Sequence, residues 1–595
     1  MSARSVGSSP VIIGNCSGFY GDRLSAFREM LEGGQLDYLT GDYLAELTML
    51  ILGRDTFKDP NLGYARTFVR QCEDALGLAL EKGVKIVSNA GGLNPAGLAE
   101  KLREVAKGLG LDVNIAHVEG DDLRSKSADL GFTNALTANA YLGGFGIAAA
   151  LNAGADVVVT GRVTDASVIV GPAASHHGWG YDDLDAIAGA MVAGHVIECG
   201  THATGGNFSG FLTLPASARE QKMGFPIAEI AADGSSVITK HAGTGGAVTV
   251  DTVTAQLVYE IQSGLYLGPD ATADLASIEV TQEAPDRVAI AKVTGLAPPE
   301  TLKVCVNELG GFRNVMEFLI TGLDTDEKIA WIKRQVTEAW GDKAPACVAW
   351  SEGPPPVDDP TTMAEAATIL RVMCLDTDAK VAGKGFTAPA VEIALASYPG
   401  CTLVGPPAPA SPYGIYRPEY VSREVAAHTV VHADGRREEI ADPTTYGSAD
   451  VVDAGRSTAT GVSTTEGETI PLGRLVHARS GDKGGNANLG LWIPRDGVAD
   501  GQSGHAVSPA DLEKYEARVA WLLDFVTPER VRELVPEAAD LDVDVYALPH
   551  LGAVNVVIKR LLGAGVAAST RVDPQAKALG EWVRSRHVTV EGELL

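Results

Sequence analysis

Several signatures that would point to a mechanism early are missing from this sequence. Its seven cysteines, at 16, 72, 199, 305, 347, 374 and 401, contain no CxxC pair. An odd, dispersed set suits reduced thiols and excludes a zinc ribbon or a disulfide framework. No GxGxxG follows the first strand, and neither a Walker loop nor an HExxH helix occurs. A Rossmann-type dehydrogenase is therefore disfavoured, as are the common nucleotide and zinc-protease chemistries. No run approaches eighteen uninterrupted apolar residues, and residues 1–10 hold no apolar segment of signal length. The expectation is a cytoplasmic protein without a membrane span. Positive charge is also scarce, with 48 Lys and Arg against 76 Asp and Glu and a net charge of −28. Nucleic acid and anionic membrane both need a basic face, so neither is an expected partner. An anionic small molecule stays in play only if its cations are clustered.

What is present is a globular composition, 45% hydrophobic and 21% charged, in a 595-residue chain too long for one core. Over the first 200 residues short apolar runs alternate with amphipathic stretches. Val11-Ile12-Ile13, Asp37-Tyr38-Leu39, Lys85-Ile86-Val87-Ser88, Val113-Asn114-Ile115-Ala116 and Asp156-Val157-Val158-Val159 read as strands. Helices are predicted near 22–33, from Tyr43, and at 62–82, 95–108 and 144–153. The alternation predicts an α/β fold with a Rossmann-like, mainly parallel sheet and helices on both faces. Residues 210–310 read as a β-richer subdomain of that core and 310–345 as helical. The predicted layout is a core over 8–440, a polar linker over 441–470 and an α+β domain over 471–595. That last domain is expected to hold helices at 509–524, 527–534 and 554–562 and a strand at 542–548.

The densest chemistry lies in His477-Ala478-Arg479-Ser480-Gly481-Asp482-Lys483-Gly484-Gly485-Asn486-Ala487-Asn488-Leu489-Gly490. Four glycines with Arg479 and Lys483 can aim backbone N–H groups and positive charge at an anion. A tight βα turn with self-paired charges is the alternative. Four more polar, glycine-punctuated clusters follow predicted strands. They carry Asp22 and Arg23; Asn89, Gly91, Gly92 and Asn94; Asp121 and Asp122; and Arg162 and Asp165. The carboxyl ends of parallel strands share one edge, where ligands bind, although each cluster could equally cap the next helix. Asp42 and Glu46, at i and i+4, could share a helix face and divide acid and base duty. His195 and Glu198, near a predicted helix end with Cys199, His202 and Asn207 close by, could form a proton-transfer pair or hold a metal.

Taken in order, these clusters resemble the acyclic terpene utilisation AtuA family. The resemblance runs through Gly18-Phe19-Tyr20-Gly21-Asp22-Arg23, Gly41-Asp42-Tyr43-Leu44-Ala45-Glu46, Asn89-Ala90-Gly91-Gly92-Leu93-Asn94-Pro95, Gly161-Arg162-Val163-Thr164-Asp165 and Gly194-His195. The segment around Arg479, Ser480, Asp482 and Lys483, with Tyr546-Ala547-Leu548-Pro549, is similar to the ferredoxin-like domain fused to that family's core. The resemblance implies catabolism of branched acyl-CoA thioesters, or related carboxylates, in acyclic terpene degradation. Lyase or hydratase chemistry would follow, with CoA entering only as part of the substrate and no separate cofactor expected.

Either chemistry needs a base at the reacting centre and donors for a developing enolate oxygen. The candidate base is Glu46 or Glu198, with Asp42 beside them and His195 as acid or orienter. Asn89, Asn94 and the Gly91-Gly92 backbone would hold the oxyanion, and Arg162, Arg479 and Lys483 the phosphate or carboxylate. Asp22, Arg23, Asp121, Asp122, Asp165, Asn207, Ser480, Asp482 and Asn488 complete the expected substrate-binding set. Two alternatives remain: a metal-dependent hydrolase using His195, Glu198 and Asp121 or Asp165, and a non-catalytic acyl-CoA-binding partner of other enzymes. Base rates favour a homo-oligomer.

Overall fold

A computed structural model describes residues 9–447, 455–461, 467–495 and 508–595. Much of the expected linker, residues 448–454 and 462–466, lies outside the described residues. The chain divides into two compact units. One comprises residues 1–307, 417–561 and 575–595, and the other 308–416 and 562–574.

The first unit is organised by an eleven-stranded sheet. Its centre is five parallel strands in the spatial order Val11–Asn15, Tyr38–Gly41, Lys85–Ser88, Val157–Thr160, Ile115–Glu119. Covered on both faces, such strands read as continuous apolar runs, and Val157–Thr160 is buried at every position. Ile86, Val157 and Val159 join Phe68, Leu98 and Leu102 in one cluster, contributed by helices Arg66–Lys82 and Pro95–Leu109. Val87 and Val158 point the other way, towards Val168, Ile169 and Ile187 of helices Ser167–His177 and Leu184–Ile197. Those two helices are almost wholly buried, and their uniformly apolar sequences suit that position.

The expected mainly parallel sheet is a mixed one. Pro226–Ile230, Ser236–Lys240, Arg287–Ala291 and Glu279–Ala284 extend it antiparallel on one side, and Thr429–Val431 and Arg437–Glu439 on the other. Four strands of the strand-rich stretch within 210–310 thus continue the main sheet, while Leu265–Leu267, Thr272–Asp274 and Thr294–Leu296 form a small antiparallel sheet of their own. Two short local alternations there pair as hairpins, which need no crossover helix.

The terminal part of the same unit is a four-stranded antiparallel sheet ordered His477–Lys483, Asn486–Trp492, Ala553–Ile558, Val543–Leu548. Helices Pro509–Phe525, Pro528–Leu534 and Leu579–Ser585 accompany it. Two expectations change here. The Arg479–Lys483 segment is a strand of a hairpin closing through Gly484, at φ +64°, rather than a glycine loop before a helix. Residues 554–562 begin as a strand, because Val554, Val556, Val557 and Ile558 are β-branched and buried. Trp492, buried, ties this sheet to helix Val250–Leu257 by donating from Nε1 to Asp251 Oδ1 at 3.1 Å.

The second unit pairs the long strand Thr301–Thr321, from Phe312 onward, with Ala367–Asp376, which also pairs with Cys347–Glu352. Helix Thr325–Trp340 supplies Ile332, Val336 and Trp340 to a core with Phe318, Leu370 and Phe386. The helical expectation for 310–345 therefore holds only from Thr325.

Candidate functional site

The carboxyl ends of the parallel strands bring distant polar residues together. Asp42 leaves Tyr38–Gly41 in a loop, and helix Glu46–Lys58 starts only at Glu46, so the two acids do not share a helix face. Asn89, just past Lys85–Ser88, donates to Asp42 Oδ1 and accepts from Tyr43 N at 2.8 Å. Arg162, just past Val157–Thr160 and 2% exposed, reaches Leu44 O at 2.6 Å and Asp165 Oδ1 at 3.0 Å. Its guanidinium stacks over the Tyr141 ring, 4.4 Å from the centroid. The Tyr141 hydroxyl donates to Glu46 Oε1 at 3.0 Å. Asp121 stands behind Arg162 and accepts from its backbone N and from Asn139 Nδ2, both at 2.8 Å. That approach needs Gly161, where a Cβ would lie 2.2 Å from Asp121 Oδ1.

The helix Leu184–Ile197 delivers His195 in its last turn, with Glu198 as its C-cap. Gly194 makes the delivery feasible, since a Cβ there would meet Ala166 at 2.9 Å. The helix end is held by Asn15, whose Nδ2 donates to Ile197 O and Glu198 O at 2.8 Å each. His195 Nδ1 lies 3.4 Å from Glu198 Oε1, and its ring packs on Tyr266 at 4.6 Å between centroids. Both side chains are buried; Glu198 Oε2 has no hydrogen-bond partner, and the imidazole has only a poorly aligned approach to the Tyr259 backbone. A buried acid–base pair left this open can be completed by a ligand.

Cations close the space. Lys303 comes from the strand Thr301–Thr321 and lies over Tyr141, 4.8 Å from the centroid. Lys483 enters from the terminal hairpin, 4.0 Å from Glu260 Oε2. Glu260 sits at φ +56°, with its backbone N held by Asn488 Oδ1 at 2.8 Å. Its other oxygen lies 3.6 Å from Lys577, which also approaches Asp482 at 3.9 Å and donates to the Tyr259 hydroxyl. Lys483, Glu260 and Asp165 keep about a quarter of their side-chain surface or slightly less, at 24%, 22% and 21%. Arg162, His195 and Glu198 keep almost none. The first group is partly open to solvent and the second is buried.

Protonation follows from this placement. Burial, then Asp165 and Glu260, pushes Glu198 well above the usual carboxylate range. Burial, then Asp165 and Glu198, does the same to Asp42. His195 is held down at about 4 by burial and the nearby Lys483. Glu46 runs the other way: burial alone would raise it, but Lys303, Arg162 and Lys483 outweigh that and lower it. Glu260 falls to about 2, because Lys577 and Lys483 overcome its burial. Burial thus favours the neutral forms of His195 and Glu198, whereas the cations around Glu46 favour its ionised form.

Other expected residues go elsewhere. Asp22 accepts from Gly18 N and Arg23 N, while Arg23 pairs with Glu29 and Met223 O. Asn94 caps helix Pro95–Leu109 through Gly97 N and ties down Asn61 O and Leu62 O. Gly91 and Gly92 pack against Thr160 O and Gly63 O, too close for any Cβ. Asp122 forms a local pair with Arg124 at 2.6 Å. Ser480 Oγ accepts from Gly580 N, and Asn488 is buried among Val258 O, Ile261 O and Asn555. Arg479 and Asn207 meet at an adjoining cleft, Arg479 Nη1 donating to Asn207 O at 2.6 Å. A separate cleft of about 510 Å³ beside Phe57 and Leu93 has mainly apolar walls, and its Arg124 is held by Asp122. It lacks an acid–base pair and is a weaker candidate than the buried cluster.

The model of the acyclic terpene utilisation family protein AtuA matches residues 11–432. The chain belongs to that family. The model of the AtuA ferredoxin-like domain matches residues 470–589, which include the four-stranded terminal sheet. The chain matches no curated protein and no solved structure. In this AtuA member the ferredoxin-like domain supplies Lys483 and Lys577 to a cluster otherwise built by the core. Among the described residues no helix is long and apolar enough to cross a membrane. The motifs did not reveal Tyr141, Tyr259, Glu260, Lys303 or Lys577. Only Lys303 left a signal: its strand face continues to Cys305 and Asn307, an unusual series for a solvent face.

Proposed function

We propose that this AtuA-family chain is a lyase or hydratase acting on a branched acyl thioester or related carboxylate. The observation that carries the proposal is the buried, under-bonded His195–Glu198 pair near Lys483. Neutral imidazole is a base and protonated carboxyl an acid, so His195 takes the proton and Glu198 gives one. This reverses the order expected from residue type alone. In hydration, His195 removes a proton from water as oxygen bonds to the β-carbon, and Glu198 protonates the α-carbon. The imidazole proton then returns to Glu198 across their 3.4 Å contact. In cleavage, His195 deprotonates a 3-hydroxyl, the bond between α- and β-carbons breaks, and Glu198 protonates the resulting enolate. Lys303 and Lys483 stabilise the enolate oxygen in both cases. Glu46, ionised and bonded to Tyr141, holds the lysines in place.

The metal-hydrolase alternative needs at least three ligands around one point, and no such group occurs among the described residues. The test is turnover of 2,3-unsaturated and 3-hydroxy branched acyl thioesters by wild type, His195→Asn and Glu198→Gln. Loss in both variants with the fold intact supports the roles. Unchanged turnover in either one overturns them.

A further inference from the structure

A second cleft, about 330 Å³, opens between the 205–211 loop and the first strand of the ferredoxin-like domain. That volume is at the lower end for ligand pockets, about 300–1,000 Å³, and suits part of a molecule. Its lining combines Arg479, Lys577 and Ser480 with the half-exposed ring of Phe211, and Glu581 stands at the rim. Arg479 is 3% exposed and stacks on Tyr259 at 4.3 Å. Its two terminal nitrogens reach Asn207 O and His202 Nδ1, but its Nε has no partner. A buried guanidinium left incomplete at a cleft is an arrangement that an anion would complete. Phe211, 51% exposed in the same wall, offers a free face to a planar ring. In a chain carrying −28, such a gathering of cations is where negative charge can be bound.

The cleft also connects to the buried cluster. Lys577 lines it and also pairs with Glu260, which faces Lys483. A ligand anchored at Arg479 and Lys577 thus adjoins the chemistry at His195.

We propose that this cleft binds the phosphate-bearing, planar-ringed tail of the substrate, a nucleotide handle on the acyl thiol ester. The inference rests on the thioester reading above. It places the handle on the ferredoxin-like domain and the 205–211 loop, and the acyl group in the core.

The probe is adenosine 3′,5′-bisphosphate, titrated calorimetrically into the full chain at low salt, with inorganic phosphate and a free branched acid as controls. Wild type is expected to bind it with a Kd of about 100 μM or tighter, more weakly as salt rises. Phe211→Ala, which removes only the stacking face, is expected to weaken binding about tenfold. Glu581→Gln, at an exposed rim position, is expected to tighten it about two- to threefold at low salt. Lys577→Met is expected to abolish binding, and the two exposed variants keep the test valid if that one misfolds. No saturable binding below about 1 mM overturns the proposal, as does binding indifferent to Phe211 and Glu581. The two readings fail separately. Turnover of a free branched acid without bisphosphate binding removes the handle cleft and leaves the His195 chemistry standing. Bisphosphate binding at this cleft without turnover of any thioester keeps the cleft and removes the catalytic reading.

Discussion

Two sets of polar residues from the glycine-punctuated motifs meet opposite fates. Asp22 and Asp122 satisfy themselves within four residues along the chain, through Gly18 N and Arg124. Glu46 and Lys483 find theirs far away, at Tyr141 and Glu260, and Arg162 reaches Leu44 as well as its neighbour Asp165. Local partners make turns and caps, which any stable loop needs. Distant partners require several strands, a helix end and a second sheet to converge, and the leftover polar atoms at His195 and Glu198 lie where they do. A long-range partner is what Glu46, Lys483 and Arg162 have and Asp22 and Asp122 lack.

The strongest way to break that comparison is to cut the site and the framework separately. Lys303→Met and His195→Asn are expected to lower kcat by about a thousandfold or more, by removing a charge stabiliser and a base. Asp22→Asn should leave kcat within about twofold. Steady-state kinetics on the substrate of the wild-type chain provides the check, and equal losses in both sets would erase the distinction.

Asp121 sharpens it through pH. Burial pushes this carboxyl up to about 7, against the donations from Arg162 N and Asn139. Between roughly pH 4 and 7 the folded chain holds a proton here that the unfolded chain has lost. Its contribution to stability is thus greatest below the unfolded pKa and fades as pH rises to about 7. At about 1.4 kcal/mol per unit, the fade amounts to about 2–4 kcal/mol. Asp121→Asn removes the titration, so its melting temperature should exceed wild type at pH 8 and approach it near pH 4. A variant less stable than wild type at both values would show that the carboxylate itself is needed there.

Much of this was legible in the sequence, for identifiable reasons. The runs at Val11, Lys85 and Val157 are buried on both faces, so they announce strands without ambiguity. His195 with Glu198, and the cations Arg162 and Lys483, stood out because such groups rarely gather among glycines and apolar residues. The antiparallel edges were hidden, because a hairpin leaves only local alternation that does not say which sheet it joins. Glu260 was hidden too, just beyond helix Val250–Leu257, and Lys303 showed only through the polar face that it shares with Cys305 and Asn307. Their importance depends on packing between segments hundreds of residues apart.

Smaller effects test the framework side. Asn94→Ala removes the N-cap of Pro95–Leu109 and its hold on Asn61 and Leu62, at about 1 kcal/mol. Hydrogen exchange should quicken in the first turn of that helix, with turnover unchanged.

The finest contrast is between neighbours. Asp121 and Asp122 are chemically identical and adjacent, yet one is buried against the site and the other forms a half-exposed pair with Arg124. Such a pair lies partly in water, where screening leaves at most about 1 kcal/mol. Asp122→Asn is therefore expected to shift stability by less than that, to lose even this effect in high salt, and to leave turnover intact. Thermal melts at two salt concentrations, beside the same measurement on Asp121→Asn, compare the same substitution at consecutive positions. A larger or salt-independent effect at Asp122 would mean that it too reaches beyond its own turn, and the boundary between framework and site would have to move to include it.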